Sequence, residues 1–252
     1  MEDAIEAVKE AFIVHSEGSV KVPLRINIRS DKYNGNMLFM PAYCEKKDAA
    51  SLKIVSVYPD NKEKKLPSTP AQVLLIDPTT GIVLSIMDGT YITALRTGAA
   101  SGAAFSVLAK PECKTGALIG TGTQAAMQLE AMIVSKNPKL VKVYSRNKDR
   151  LNNFVKNMST KFKSKAVELV ACESADAAVK DADILITATN SDRPLFSVES
   201  CKPGLTISAV GSFTRQMQEL DTTVLKKASK IYYDDKEAML EEAGEIIKAL
   251  EN

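Results

Sequence analysis

Two groups of residues in this sequence have types and spacings that could do chemistry. The first is the stretch Thr115 to Ala125, in which an apolar run ends in Gly120-Thr121-Gly122-Thr123-Gln124-Ala125, a Gly-x-Gly-x-x-Ala spacing. Gly120 and Gly122 let the backbone turn sharply and approach a pyrophosphate. The small Ala125 permits close packing of helix on strand, and the helix start at Thr123 and Gln124 offers free N–H groups to an anion. Alone such a spacing is also compatible with a tight turn that holds nothing. Here it opens a series of alternating strands and helices, the context a dinucleotide site requires.

About 20 positions further on, where an acidic residue would hold a ribose 2′-hydroxyl, the chain reads Ser145-Arg146-Asn147. An arginine beside a hydroxyl suits a 2′-phosphate, so NADP(H) is expected ahead of NAD(H); the alternative makes Arg146 a solvated loop charge. Thr187-Ala188-Thr189 and Val210-Gly211-Ser212 each follow an apolar run. In an open parallel sheet the carboxyl ends of strands line the ligand crevice, which points these residues at ribose and nicotinamide, unless they are ordinary exits from strand to loop.

The second group is cationic. Lys53 sits inside Ser51-Leu52-Lys53-Ile54-Val55, where alternation places it on a face with Ser51 and Val55, and Arg96 interrupts a nearly uncharged helical stretch, Thr93 to Ala100. Charges in such settings need partners. A guanidinium fork with a nearby ammonium suits the carboxylate of an amino or keto acid, and an internal salt bridge is the competing reading.

The elements that must position these groups have two textures. Up to about Ala109, an amphipathic helix built on Ile5, Val8 and Phe12 ends near Gly18. Short strands follow at Met37 to Met40, Leu52 to Val57, Ala71 to Ile76 and Ile82 to Ile86, the last two joined by a tight turn at Asp77 to Gly81. An antiparallel or mixed sheet is expected. A long Ala-rich helix capped by Asp88 then runs through Leu108. From Lys110, strands at Gly116 to Ile119, Val141 to Tyr144, Val167 to Val170, Ile184 to Thr187, Leu205 to Val210 and Lys230 to Tyr233 alternate with helices, which predicts a doubly wound parallel sheet. The expected division is 1–109 and 110–252.

Composition removes several function classes. Of 252 residues, 45% are hydrophobic and 33 Lys+Arg offset 31 Asp+Glu with no basic stripe, so no nucleic-acid partner is expected. No apolar run approaches the roughly 20 residues that span a bilayer, and the acidic amphipathic amino terminus does not read as a secretory signal. A cytoplasmic chain without a membrane partner is expected. Cys44, Cys113, Cys172 and Cys201 form no Cys-x-x-Cys pair and His15 is the single histidine, so neither a metal site nor a disulfide framework is expected.

Met87-Asp88-Gly89-Thr90 with Thr93 to Ala100, then Ile119 to Ala125, then Val210-Gly211-Ser212 with Glu219-Leu220-Asp221 resemble the ornithine cyclodeaminase/mu-crystallin family over nearly the whole chain. The resemblance implies a homodimer with an α+β substrate-binding and dimerisation domain and a Rossmann domain that binds NAD(P). It implies activity on a small amino or imino acid. Carried over by position, Arg25, Lys53 and Arg96 match the residues that hold the substrate carboxylate, and Thr69 falls where a hydroxyl lies near the substrate, with Ser68 as a competing assignment. Lys53, its pKa lowered by the arginines, is then the candidate proton donor.

Two departures accompany the resemblance. Cyclodeaminases of the family carry an aspartate after the strand that ends at Gly211, and Phe213 stands in its place. A phenyl ring exchanges no proton, so the chain looks more like the members that reduce the C=N bond of a cyclic imino acid such as pyrroline-2-carboxylate. Ornithine cyclodeaminase, alanine dehydrogenase and an inert cofactor-binding fragment are the alternatives. Relatives also extend past the Glu242 to Glu245 region into a segment that returns to the first domain.

Overall fold

A computed structural model of the chain describes residues 1–251. The chain divides into two compact units, one of Ala7–Arg96 and one that joins Met1–Glu6 to the chain from Thr97 onward. This seam falls inside a helix, whereas the change of sequence texture placed the boundary at Ala109.

In the first unit, α1 (Glu2–Ser16) leads to a six-stranded antiparallel sheet. Gly18, at φ +76°, ends the helix by donating its N–H to the His15 carbonyl. The strands are β1 (Val20–Lys21), β2 (Ile26–Ser30), β3 (Gly35–Cys44), β4 (Ala49–Val57), β5 (Ala71–Ile76) and β6 (Val83–Asp88), in the order β1-β3-β4-β5-β6 with β2 also paired to β3. The turn between β5 and β6 is set by Asp77, whose carboxylate accepts from Thr79 N (2.8 Å), Thr79 Oγ1 (2.7 Å) and Thr80 Oγ1 (2.7 Å).

Register assigns the two faces of this sheet. Lys53 lies opposite Met40 and Val73, and Val73 opposite Met87, which defines one face. Ile26 pairs with Phe39 and Ile28 with Met37, while Leu74 pairs with Ile86, so these residues lie on the other face. That second face is apolar yet open, with Ile26, Ile28, Leu84 and Ile86 between 48% and 67% exposed.

Asp88 caps α2 (Gly89–Leu108), accepting from Thr90 N at 2.8 Å, as the sequence led us to expect. Beyond it, β7 (Thr115–Ile119), α3 (Ala125–Lys136), β8 (Leu140–Tyr144), α4 (Lys148–Lys161), β9 (Glu168–Ala171), α5 (Ala175–Val179), β10 (Ile184–Thr187) and β11 (Thr206–Ala209) alternate. The five strands are parallel in the order β9-β8-β7-β10-β11, with the reversal between β7 and β10. Both faces are covered. Leu118, Ile184 and Ile186 join Phe105, Leu129 and Met132 on one side, and Ala117, Ile119 and Leu185 join Val179, Phe196 and Val224 on the other. Each such Leu or Ile contributes about 1.5–3 kcal/mol relative to exposure.

At the amino ends of the strands, Asp183 accepts from Lys114 N (2.7 Å), Thr115 N (3.0 Å) and Lys202 Nζ (2.5 Å). These bonds hold its carboxyl below the usual range against the opposing effect of burial, which is the largest single influence on it. The chain ends in α6 (Thr222–Lys227), α7 (Lys236–Glu242) and α8 (Gly244–Glu251).

The strand expected at Lys230 to Tyr233 is absent. These residues pair with no strand, and Ile231, Tyr232 and Tyr233 are about half exposed. The Ile-Tyr-Tyr run has high strand propensity, but propensity reports fit to a neighbouring strand, and β11 is the edge of the sheet. No helix among the described residues is long and apolar enough to cross a membrane.

Candidate active site

In the unit Ala7–Arg96, Lys53 stands in the middle of β4 between the apolar Met40 and Val73. Burial there, followed by the positive charges of Arg96 and Arg25, lowers its pKa from 10.5 to about 8. All three causes act in the same direction, so a bound anion is the natural complement of the cluster. Arg25 is half-buried between β1 and β2, and Arg96 is exposed in the second turn of α2. Arg25 and Arg96, 71 positions apart in the sequence, are therefore both within Coulombic reach of Lys53. Thr69 is half-buried just ahead of β5, and the carbonyl of Ser68 accepts from Tyr58 N at 2.8 Å. A larger open depression of about 470 Å³, lined by Tyr33, Tyr58 and Lys64 among others, lies beyond the end of β4 and contains none of these cations.

In the other unit, the Gly-x-Gly turn connects β7 to α3. Gly120 has φ +110°, and a Cβ there would stand 2.4 Å from the Ala188 carbonyl oxygen, so only glycine fits. Gly122 is the opposite case. A Cβ there would meet nothing within 4 Å, which leaves its backbone open to a ligand. Thr123 is exposed beside it, and Ala125 is fully buried as close packing requires.

Buried polar atoms without partners collect in this region. Thr121 Oγ1 and Gln124 Oε1 have none, nor does either amide atom of the fully buried Gln128 on α3. Unpartnered buried groups are costly, so a ligand that supplies partners to the Thr121 hydroxyl and the Gln128 amide would be favoured here. An anion at the α3 amino terminus, against open backbone at Gly122, fits this arrangement, so the residues present are compatible with a dinucleotide. Gln128 was not singled out from the sequence. Its signal is a polar residue at a helical position whose neighbours Ala125, Leu129 and Met132 are all buried.

Next to the turn, a small cleft of about 100 Å³ is lined by Tyr144, Ser145, Arg146, Lys148, Cys172 and Glu173. Ser145 is half-buried and Arg146 exposed; Lys148 pairs with Glu173 at 3.0 Å. Asn147, expected to touch the cofactor, caps α4 by accepting from Arg150 N at 2.8 Å. The four cysteines are unpaired and His15 is on the surface of α1.

The carboxyl ends of β10 and β11 meet on a carboxylate that the sequence did not reveal as functional. Glu219 is fully buried and accepts four hydrogen bonds: from Thr187 Oγ1 (2.8 Å), Thr189 N (2.7 Å), Thr189 Oγ1 (2.6 Å) and Gly211 N (2.8 Å). Burial pushes its pKa up, and the hydrogen bonds pull against that rise. The Thr187 and Thr189 hydroxyls, read from the sequence as facing ribose and nicotinamide, are thus directed into Glu219. Ser212 Oγ donates to the Met217 carbonyl at 3.2 Å, Val210 N donates to the Thr187 carbonyl, and Ala188 N to that of Ile119. Phe213 is half exposed on the following loop.

The profile of the ornithine cyclodeaminase/mu-crystallin family matches residues 1–252. A delta(1)-pyrroline-2-carboxylate reductase of Bacillus cereus is 35% identical over 246 residues, 98% of this chain and 74% of the relative. Among solved structures, the delta(1)-pyrroline-2-carboxylate reductase of Thermococcus litoralis in complex with NADH and L-proline superposes with a TM-score of 0.92 at 41% identity, covering 99% of this chain and 76% of the other. An archaeal alanine dehydrogenase dimer with bound NAD superposes at 0.90 with 33% identity, over 99% and 75% of the two chains.

Proposed function

The chain belongs to the ornithine cyclodeaminase/mu-crystallin family, and from that premise we propose that it is a nicotinamide-dependent reductase of a small imino acid, reducing the C=N bond of a cyclic substrate such as pyrroline-2-carboxylate to an L-amino acid. The observation that carries this reading is the placement of Lys53 in the middle of β4, where burial and then the charges of Arg96 and Arg25 lower its pKa to about 8, in a chain 41% identical to a protein solved with NADH and L-proline. In the proposed division of labour, residues 1–109 bind substrate and dimerise and residues 110–252 bind the nucleotide.

When bound, a reduced nicotinamide would supply the hydride that the imine carbon takes up. Arg25 and Arg96 hold the substrate carboxylate by charge and paired N–H donors, which orients the C=N bond. Lys53 Nζ gives a proton to the imine nitrogen, so that hydride and proton together convert C=N to CH–NH; a pKa near 8 keeps the donor protonated yet acidic at neutral pH. Thr69 contributes a hydroxyl close to the substrate. Gly120, Gly122, Thr123, Gln124 and the amino terminus of α3 would hold the pyrophosphate. Ser145 and Arg146, with no carboxylate in the position that selects NAD, support a preference for NADPH over NADH.

A homodimer is proposed as well, supported by the open apolar face of the six-stranded sheet and by likeness to a protein described as a dimer. A cytoplasmic location is supported by four unpaired cysteines. Alanine dehydrogenase is the second reading, favoured by the archaeal structure. Phe213, which exchanges no proton, weighs against cyclodeaminase activity.

The test is consumption of NADPH and NADH, separately, against pyrroline-2-carboxylate, piperideine-2-carboxylate and pyruvate with ammonia, while ammonia release from ornithine is followed in parallel. Oxidation with a cyclic imine is expected. Oxidation with pyruvate and ammonia alone moves the reading to alanine dehydrogenase, and ammonia from ornithine without net oxidation overturns it in favour of a cyclodeaminase.

A further inference from the structure

Glu219 has no place in the proton and hydride chemistry just described, yet it is the most heavily hydrogen-bonded carboxylate near the nucleotide turn. We propose that Glu219 is a positioning residue for the nicotinamide nucleotide, acting by tying the carboxyl ends of β10 and β11 to each other and, through Ala188, to the glycine turn after β7. The proposal deepens the nucleotide-binding reading above and rests on it.

The geometry is a chain of close approaches. Oε1 of Glu219 accepts from both the N–H and the hydroxyl of Thr189, and Oε2 accepts from the Thr187 hydroxyl and the Gly211 N–H. An ionised carboxylate has about four acceptor positions, so each is used. Two of the donors are backbone N–H groups, one on each strand exit, which cannot reverse their role. Gly211 permits the contact, since a Cβ there would lie 2.1 Å from the Thr189 carbonyl oxygen and 2.6 Å from the Glu219 carboxylate. One residue earlier, the Ala188 carbonyl oxygen would stand 2.4 Å from a Cβ at Gly120. The turn after β7 therefore rests on the exit of β10, and that exit is held by Glu219.

Glu219 is itself fixed. Its carbonyl accepts from Leu195 N at 3.0 Å, and Gln218 N donates to the Ser191 carbonyl at 2.8 Å. The reversal of strand order lies between β7 and β10, the place where an open parallel sheet binds its ligand. A buried carboxylate that sets the spacing of the exits on one side of that crevice controls where a nucleotide can lie without touching it.

Glutamine tests this because it preserves shape and removes the charge. Its Nε2 is a donor and would face either the Gly211 N–H or the Thr189 N–H, a donor against a donor, so one strand exit must shift. The measurements are the dissociation constants of NADPH and NADH by fluorescence, kcat and KM for pyrroline-2-carboxylate, and the melting temperature, for wild type, Glu219→Gln and Glu219→Asp. For folded Glu219→Gln we expect nucleotide affinity about 10-fold weaker and kcat lower by roughly 10- to 100-fold, the scale of a small misplacement of reacting groups. The KM for the imine should stay within about threefold, since uniform substrate binding is not what is lost. Glu219→Asp, which keeps the charge but withdraws it by one methylene, should fall between the two.

A Glu219→Gln protein with wild-type nucleotide affinity and kcat, changed only in melting temperature, overturns the proposal and leaves Glu219 a structural residue. If that variant does not fold, Thr187→Val removes one of the four donors at constant shape; about threefold weaker nucleotide binding is expected of it, and none at all overturns the idea. A wild type that binds nucleotide but reduces no imine defeats the reductase reading alone, because the affinity comparison still decides the role of Glu219. A wild type that binds no nicotinamide nucleotide defeats both.

Discussion

The two sheets of this protein bury their residues in opposite ways. The parallel sheet is covered on both faces, with Leu118, Ile184, Leu185 and Ile186 inaccessible to solvent. In the antiparallel unit, Val14 and Ala71 are the only buried hydrophobic residues between Ala7 and Arg96, and Ile26, Ile28, Leu84 and Ile86 face outward. The first sheet carries its own core; the second divides its faces between a cationic cluster around Lys53 and an apolar surface that needs a cover. A sheet that must present charge on one face has little room to satisfy hydrophobic burial alone, and its open apolar face is what the proposed homodimer would cover.

The strongest way to sharpen this contrast separates chemistry from nucleotide binding. Lys53→Met should lower turnover by about 10²–10⁴-fold, the usual contribution of a general acid, while the nucleotide dissociation constant by fluorescence stays within experimental scatter; a variant that still turns over removes Lys53 from the mechanism. In core energetics, Leu129→Ala should cost about 3 kcal/mol in denaturant unfolding, independent of protein concentration. Ile86→Asp should behave differently, producing a melting temperature that depends on concentration and a shift toward monomer in sedimentation. A monomeric wild type would break the contrast on the side of the antiparallel sheet.

A smaller effect is expected at the open glycine. Gly122→Ala should melt as wild type does, because its Cβ meets no atom, yet bind nucleotide about 10-fold more weakly; unchanged affinity would mean that no ligand approaches there.

The smallest effect concerns pH. The pKa of Lys53 is lowered on folding from 10.5 to about 8, so the unfolded chain binds more protons between those values and stability rises with pH across that window. Below pH 8 the full cost of burying the ammonium is present. Lys53→Met should therefore melt a few degrees higher than wild type at pH 7, with the gain shrinking from pH 8 to 10.5. Reductase activity in wild type should fall as pH rises through about 8 as the proton donor is lost.

How much of this was legible in the sequence follows from the range of the interactions. The Gly-x-Gly turn, the strand–helix alternation and the Asp88 cap are written in residues a few positions apart, and each was readable. β1 and β2 were missed because Val20 to Ser30 is short, and its pairing to β3 is not set by local alternation. At Lys230 to Tyr233 propensity misled in the other direction, since no neighbouring strand receives it. Glu219 entered only as part of the Glu219-Leu220-Asp221 motif, and its role was beyond reach for a related reason: it follows Thr189 by 30 positions. Lys53 and Arg96 were conspicuous as charges in apolar settings, whereas Arg25 and Thr69 were reached only by resemblance.

Asp183 ties together the starts of three strands. It binds the backbone at Lys114 and Thr115 and the side chain of Lys202, all at the amino ends of strands, at the far edge of the sheet from the glycine turn. The alignment of β7, β10 and β11 is thus anchored where no ligand is handled. With the strand starts locked at that edge, change at the opposite edge is confined to loops outside the Glu219 network, which leaves the sheet itself a constant frame.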